Sequence, residues 1–462
     1  MNLYSLLRQR EEAGKPIRIG AIGAGKFCTM FLAQLRFILG MRMVGIADIV
    51  PTKARQAWVR AGWPEDGLAL CNSSAAINEA AKLGKTALTD DASKLIEADL
   101  DVILEVTGIP EPGAHHSWNA LEAGKHVVMV NVEGDALYGV ALRKKADEKK
   151  LVYSMAYGDQ PALICEEIDW ARASGFEVVC AGKGTGYQPE YHYSTPETVW
   201  KYYGFSEQQV KSGDYNPQMY NSFVDGTKSA IEMCVVANAA SLLPQKCGLQ
   251  FPAVGVYELP EVLKPKSAGG ILEHSGTVEV VASARRDRSP IQHNLRYGVF
   301  VIFKAPSDYT KRCFSEYGVI TDSSGEYAAL YRPNHYIGLE LGISVASAAI
   351  RGEPTGSVES FVADVASVAK KDLKPGDVLD GEGGYCVFGR LVRAEESVRG
   401  RYFPMGLSAG AKIVRAVAKD AFLTYDDVEI DKNLFSLKLR KSMEEDFISR
   451  RSGSGSGTSC RK

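Results

Sequence analysis

Neither sign of charge is in excess in this sequence. Its 54 lysines and arginines face 56 aspartates and glutamates, for a formal net charge of −2. That balance gives no overall pull toward nucleic acid or an anionic membrane, and neither is expected as a partner. No apolar run approaches the roughly 18 residues of a membrane span. The seven histidines form no HxxxH pair and the nine cysteines no CxxC pair. Scattered thiols in odd number fit a reducing cytoplasm better than a disulfide frame or a zinc site. Met1 to Lys15 lacks the apolar stretch of a secretory signal and reads as a charged, helical lead-in. Residues 451–462, Ser/Gly-rich from Ser452, read as a disordered tail. What remains is a cytoplasmic chain of 462 residues, too long for one ordinary core.

What is present is an α/β pattern. Ile17–Ile22 reads as a buried strand, Gly23-Ala24-Gly25 as its turn, and Phe27–Gly40 as a helix. Met43–Ala47 is a second strand, ended by Asp48. Asp101–Val106, His126–Val130 and Leu151–Ser154 are further short strands separated by helical stretches. Such alternation builds a parallel sheet covered on both faces, so residues 1–158 are assigned to a Rossmann domain. Residues 159–350 read as an α+β domain for catalysis and dimerisation. It has strands at 176–181, 277–283 and 297–303, a long apolar helix over 219–243, and a helix from Arg332 to Arg351 returning to the first domain. Residues 351–450, with many glycines and Pro375-Gly376-Asp377, read as a small all-β module and a C-terminal segment.

The first turn carries the cofactor signal. Gly23 makes the tight turn, Gly25 lets a pyrophosphate approach the backbone, and Lys26 and Phe27 open the helix whose amides face it. Cys28 holds the third small position. Asp48, 25 residues after Gly23, stands where an acid holds the adenosine ribose. Lys53 and Arg55 could pair with a 2′-phosphate, which leaves NAD and NADP both open at this point. An overlapping match to a nucleotide P-loop fails, because Phe27 replaces the hydroxyl residue that binds magnesium.

Asp101-Val102-Ile103-Leu104-Glu105-Val106-Thr107-Gly108, followed by Ala120-Leu121-Glu122-Ala123-Gly124-Lys125-His126-Val127-Val128, resembles the Rossmann domain of homoserine dehydrogenases. The resemblance puts Thr107, Gly108 and Asn131 beside the nicotinamide. It also shows two departures. Asn131 is followed by Val132-Glu133 rather than by the family's lysine, and on Gly226–Glu232 the charges are reversed, Lys228 first and Glu232 after it. Lys371–Leu379 and Leu423–Val428 resemble the opening and closing of a SAF (β-clip) module. The chain to about residue 450 is thus similar to the 1-deoxy-D-xylulose 5-phosphate reductoisomerase-like proteins of the homoserine-dehydrogenase-like family. That resemblance implies NADPH-dependent conversion of 1-deoxy-D-xylulose 5-phosphate to 2-C-methyl-D-erythritol 4-phosphate, for isoprenoid synthesis, by a homodimer paired through its middle-domain sheet.

Such chemistry needs an anchor for the phosphorylated sugar, a group that polarises the ketone, and an acid/base. For the anchor, Lys183, Gly184 and Thr185 within Gly182–Gly186 suit a nest of backbone amides, with Arg286 of the Arg285–Arg288 cluster as a second cation. Lys228 and Glu232 share a face of an apolar helix, with Asp225 a turn earlier. Lys228 would bind substrate oxygen or move protons, and Asp225 or Glu232 would act as base or hold a divalent cation, magnesium or manganese, whose ligand set stays unassigned. Glu133, at the carboxyl end of a strand, would bind substrate or cofactor. Asp159 is either a site residue or a helix cap, and His335 either core or catalytic. Two other readings remain: a homoserine-dehydrogenase-like oxidoreductase acting on another small polyol or sugar acid, and an NADP-binding regulatory or scaffold protein.

Overall fold

The structure, a computed structural model, describes residues 2–212 and 215–454. Seven strands open the chain: β1 (Ile17–Ile22), β2 (Met41–Ala47), β3 (Leu68–Leu70), β4 (Thr86–Thr89), β5 (Val102–Glu105), β6 (His126–Met129) and β7 (Tyr153–Met155). All pair in parallel, in the order β3-β4-β2-β1-β5-β6-β7. The order reverses between β1 and β5, and beside that point the carboxyl ends of the strands form the crevice where such sheets take ligands. β1, β2, β5 and β6 are apolar along almost their whole length because helices cover both faces. β3 and β4 are absent from the sequence reading. They have three and four residues, too few to show a period.

The second sheet is mixed: β8 (Glu177–Thr185), β9 (Thr277–Ala282), β10 (Val299–Lys304), β11 (Ile320–Thr321) and β12 (Tyr327–Arg332), in the order β11-β12-β10-β8-β9. Helices Gln160–Ala173 and Thr227–Ala240 cover one face. Val254, Val256, Leu259, Leu263 and Leu272 cover the other, packed on Val179, Val281, Phe300 and Ile302.

Two expected helices change. The one over 219–243 is two helices, Pro217–Val224 and Thr227–Ala240, separated at Asp225 and at Gly226, whose φ is +87°. The break starts a new helix whose first turn carries Lys228 to Glu133, at the head of the helix after β6. The returning helix is helical only from Gly342 to Arg351, because Arg332 ends β12 and Pro333 follows it.

The C-terminal module is built on the antiparallel pair β13 (Ala363–Ala369) and β14 (Val387–Arg393), with the short pair β15 (Lys412–Ile413) and β16 (Val428–Glu429). The helix Phe435–Ser454 then returns to the first domain. Glu111 accepts the amides of Phe435 and Ser436, at 2.9 Å each, so a carboxylate sits on the positive end of that helix. One turn on, fully buried Arg440 donates to Asp364 of β13 at 2.8 Å. Of the tail expected to be disordered, the helix takes in residues to Ser454 and the rest lies outside the described residues.

Candidate active site

The dinucleotide turn is built from local geometry. Gly23 has φ +104°, and a Cβ there would lie 2.9 Å from the carbonyl of Val106, so glycine is required. A Cβ at Gly25 would meet nothing within 4 Å. That open side, with the first amides of the helix Lys26–Leu35 beside it, fits a pyrophosphate. Asp48 first shapes the turn itself, accepting from the Ala24 amide at 2.9 Å and the Val50 amide at 2.8 Å. Cys28 is buried in the position of the third glycine, and burial and then Asp48 push its thiol up to about 12, so it packs as a small apolar residue.

Of the two cations near Asp48, Arg55 is taken by Glu65 at 2.8 Å. Lys53 is exposed and has no carboxylate partner among the described residues. Thr107 donates to Glu105 at 2.6 Å, and Gly108 beside it, at φ +68°, is open. Asn131 is committed to structure: it accepts from the Gly134 amide at 3.0 Å and donates to the Ile109 carbonyl at 2.9 Å. It caps the helix Val132–Lys149 and ties it to the loop after β5. Lys26 is exposed and lies 5.7 Å from the centre of the Tyr215 ring. Phe27 is half-buried, packs on the core of the first sheet and has Gly338 close to its carbonyl.

The chemical side is a set of lysine–carboxylate pairs. Lys228, in the first turn of the helix Thr227–Ala240, donates to Glu133, in the first turn of the helix Val132–Lys149. Both side chains are 15% exposed, so a ligand can reach them. Lys183 of β8 donates to Glu232 and, at 2.7 Å, to Gln160 at the start of the helix Gln160–Ala173. Those charges are only 6% and 3% exposed and lie sealed beneath the first pair. Lys228 and Glu232 are therefore not each other's partner, although both belong to one cluster. Asp159 joins it and also caps a helix, accepting the Gln160 amide at 2.9 Å. Burial and then Glu232 raise its pKa. For Lys228, burial alone would lower the pKa, but Glu133, Glu382, Glu232 and Asp159 outweigh it and raise it. His335 is half-buried, donates from Nδ1 to the Tyr297 carbonyl at 2.7 Å, and stands near enough to Asp159 to act on its charge.

Three expectations are corrected here. Gly182–Gly186 is not a nest of free amides, because residues to Thr185 are extended in β8, between β9 and β10. Gly182 and Gly184 are glycines for space: a Cβ would lie 1.8 Å from the Glu279 carbonyl and 1.7 Å from that of Leu295. Lys183, sealed against Glu232, and Thr185 in the ladder do not form a phosphate anchor, and Arg286 spends a donor on the Phe251 carbonyl at 2.9 Å. Asp225 turns to the C-terminal module. It pairs with Lys370 at 2.7 Å, both side chains being sealed, and Lys370 also donates to the carbonyls of Ser194 at 2.9 Å and Gly384 at 2.8 Å. Finally, among the described residues no group of three or more His, Cys, Asp or Glu is arranged to hold a metal. Asp225, Glu133 and Glu232 each face a lysine, and that donor set does not fit magnesium or manganese.

Sequence reasoning missed Lys370 and Glu382, which the C-terminal module brings in. The one local sign was Asp380-Gly381-Glu382-Gly383-Gly384, a carboxylate set among glycines in a loop.

Residues 53–154 match the homoserine dehydrogenase NAD-binding domain, and residues 158–341 match the catalytic domain of the oxidoreductase DRL. No curated protein matches the chain. Among solved structures, a protein described as a probable dehydrogenase from Thermotoga maritima is similar at 13% identity and a TM-score of 0.36, over 73% of this chain and 90% of that one. The myo-inositol dehydrogenase from Lactobacillus casei, in complex with NAD(H) and myo-inositol, is similar at 16% identity and a TM-score of 0.27, over 40% of this chain and 50% of that one. With a dinucleotide turn on one side of the crevice, a lysine–carboxylate cluster on the other, and both domain matches, the chain is an NAD(P)-dependent oxidoreductase.

Proposed function

We propose that the protein is an NADPH-dependent reductoisomerase that converts 1-deoxy-D-xylulose 5-phosphate to 2-C-methyl-D-erythritol 4-phosphate. The observation that carries a carbonyl-reducing role is the reachable Lys228–Glu133 pair at the carboxyl edge of the parallel sheet, backed by the sealed Lys183–Glu232 pair. A bound reduced nicotinamide supplies hydride. Lys228 binds the carbonyl oxygen and stabilises the negative charge that grows there. Glu133 holds the ammonium in place, and Lys183 and Glu232 fix the helix beneath it. The resemblance of the whole chain to the reductoisomerase-like proteins suggests the substrate, and the match to the DRL catalytic domain supports an oxidoreductase. Unpaired Lys53 supports NADPH over NADH. The SAF-like reading of residues 351–450, the cytoplasmic setting and the homodimer belong to the same proposal.

Purified protein mixed with the deoxyketose phosphate and NADPH, with and without manganese, should oxidise the cofactor and yield the methylerythritol phosphate by mass spectrometry. Loss of neither reactant would reject this substrate. A second reading, reduction or oxidation of an unphosphorylated polyol or sugar acid, gains from one finding: of the residues expected to anchor a phosphate, Lys183 is spent on Glu232 and Gly184 and Thr185 on the strand ladder. It requires a lower KM for an unphosphorylated substrate than for its phosphate ester.

A further inference from the structure

We propose that Glu382, carried into the crevice by the C-terminal β module, is a catalytic residue: the proton donor to the substrate oxygen during reduction. The inference rests on the carbonyl-reducing role proposed above. It begins with how the loop Asp380–Gly384 is seated. Gln218 donates to the carbonyls of Asp380 at 2.7 Å and Glu382 at 2.9 Å, Asn221 to that of Gly383 at 2.8 Å, and Lys370 to that of Gly384 at 2.8 Å. A Cβ at Gly383 would lie 2.0 Å from the Gln218 carbonyl, so loop and helix Pro217–Val224 touch backbone to backbone. Asp380 closes the loop by accepting the Cys386 amide at 3.1 Å. A solvent loop has no need of such anchoring, which fixes the position of the one side chain at its tip.

That side chain is singular in the cluster. Glu133, Glu232 and Asp225 each have a lysine, and Asp159 serves a helix end. Glu382 has neither. It accepts from the Ser222 hydroxyl, and the charged groups that face it are Glu133, Lys228 and Asp225. Burial and then Glu133 push its carboxyl up to about 8, so it is protonated at neutral pH and has a proton to give. The step balances. The carbonyl carbon takes the hydride, with its two electrons, from the reduced nicotinamide, and the carbonyl oxygen takes the proton of Glu382. The products are an alcohol, an oxidised nicotinamide and a Glu382 carboxylate, which Lys228 stabilises until water returns the proton.

The test uses the full chain with NADPH and 1-deoxy-D-xylulose 5-phosphate as probe, together with infrared spectroscopy of the free protein. Glu382→Gln should lose roughly 100-fold or more in kcat while binding NADPH as the wild type does. Wild-type kcat should fall as pH rises through about 8, and the residual rate of the variant should lack that fall. The carbonyl stretch of a protonated carboxyl should titrate over the same range and be missing in the variant. Ser222→Ala, which keeps the carboxyl and removes a bond that favours its ionised form, should shift both titrations to higher pH, and it stands in if Glu382→Gln does not fold. A variant within about threefold of wild-type kcat, with its alkaline fall intact, would overturn the assignment. A wild type inert toward this probe would count against the substrate only. In that case an infrared band unchanged by Glu382→Gln would overturn the role of Glu382.

Discussion

The two sides of the crevice are made in different ways. On the dinucleotide side, Asp48 reaches the Ala24 amide across 24 residues, and strand, turn, helix and next strand follow one another along the chain. On the chemical side, Lys183 meets Glu232 across 49 residues, Lys228 meets Glu133 across 95, and Lys370 meets Asp225 across 145. The first is a local object that any doubly wound sheet can carry. The second exists only when the helices on the two sheets and the C-terminal strand pairs pack on one another, and its charges stay in place because each of these lysines has a carboxylate. One side is therefore suited to binding a common cofactor, and the other to choosing the reaction.

Breaking the chemical side should leave the binding side intact. The largest effect is expected from Lys228→Ala. Steady-state kinetics with the deoxyketose phosphate should show kcat/KM lower by about 10²–10⁴-fold, with NADPH affinity by fluorescence titration unchanged. A parallel loss of NADPH affinity would show that the two sides are not separable.

Next comes the seat of the C-terminal module. Arg440→Met leaves Asp364 buried without a cation and should cost about 3–5 kcal/mol in denaturant unfolding. Its pH dependence has a definite sign. Burial would raise the Asp364 pKa, but Arg440, Ser397 and the Val365 amide outweigh it and hold it below the usual carboxylate range. That stabilisation is complete above the unfolded value of about 3.9 and is lost as pH falls through the lower folded value. The variant should lack this acid-side loss.

Gly23→Ala attacks the local side instead. The positive φ and the 2.9 Å approach to Val106 should weaken NADPH binding by about tenfold to a hundredfold and cost about 1–3 kcal/mol in denaturant unfolding, while the lysine–carboxylate pairs stay in place. The smallest change is expected from Lys53→Ala, a rise of roughly threefold to tenfold in KM for NADPH and none for NADH. Equal effects on both cofactors would remove Lys53 from the 2′-phosphate.

Legibility followed the same divide. β1, β2, β5, β6 and the Gly23 turn were readable because apolar runs, a glycine turn and a following helix are properties of neighbouring residues. Lys228 and Glu232 were singled out as charges on an apolar helix, Glu133 by its place at the end of a strand and Lys183 by its flanking glycines, yet their pairing was not readable. Spacing suggested Lys228 with Glu232, whereas β8 and the helix Val132–Lys149 supply nearer partners. The Gly182–Gly186 segment misled for a related reason. A glycine that makes room for a crossing carbonyl and one that forms a nest look alike until the crossing strand is seen. β3 and β4 were too short to leave a pattern.

By itself the sequence determined the strand, the Gly23-Ala24-Gly25 turn and the helix that follows it, closed by Asp48, a local geometry that suits a dinucleotide, because the φ of a glycine, the start of a helix and the end of a strand are set within a few residues. The tertiary structure alone decided which lysine neutralises which carboxylate, and that Glu382 of the last domain faces Lys228 of the middle one. Burial makes an unpaired charge costly, and only the packing of distant elements settles what lies within reach to pair it.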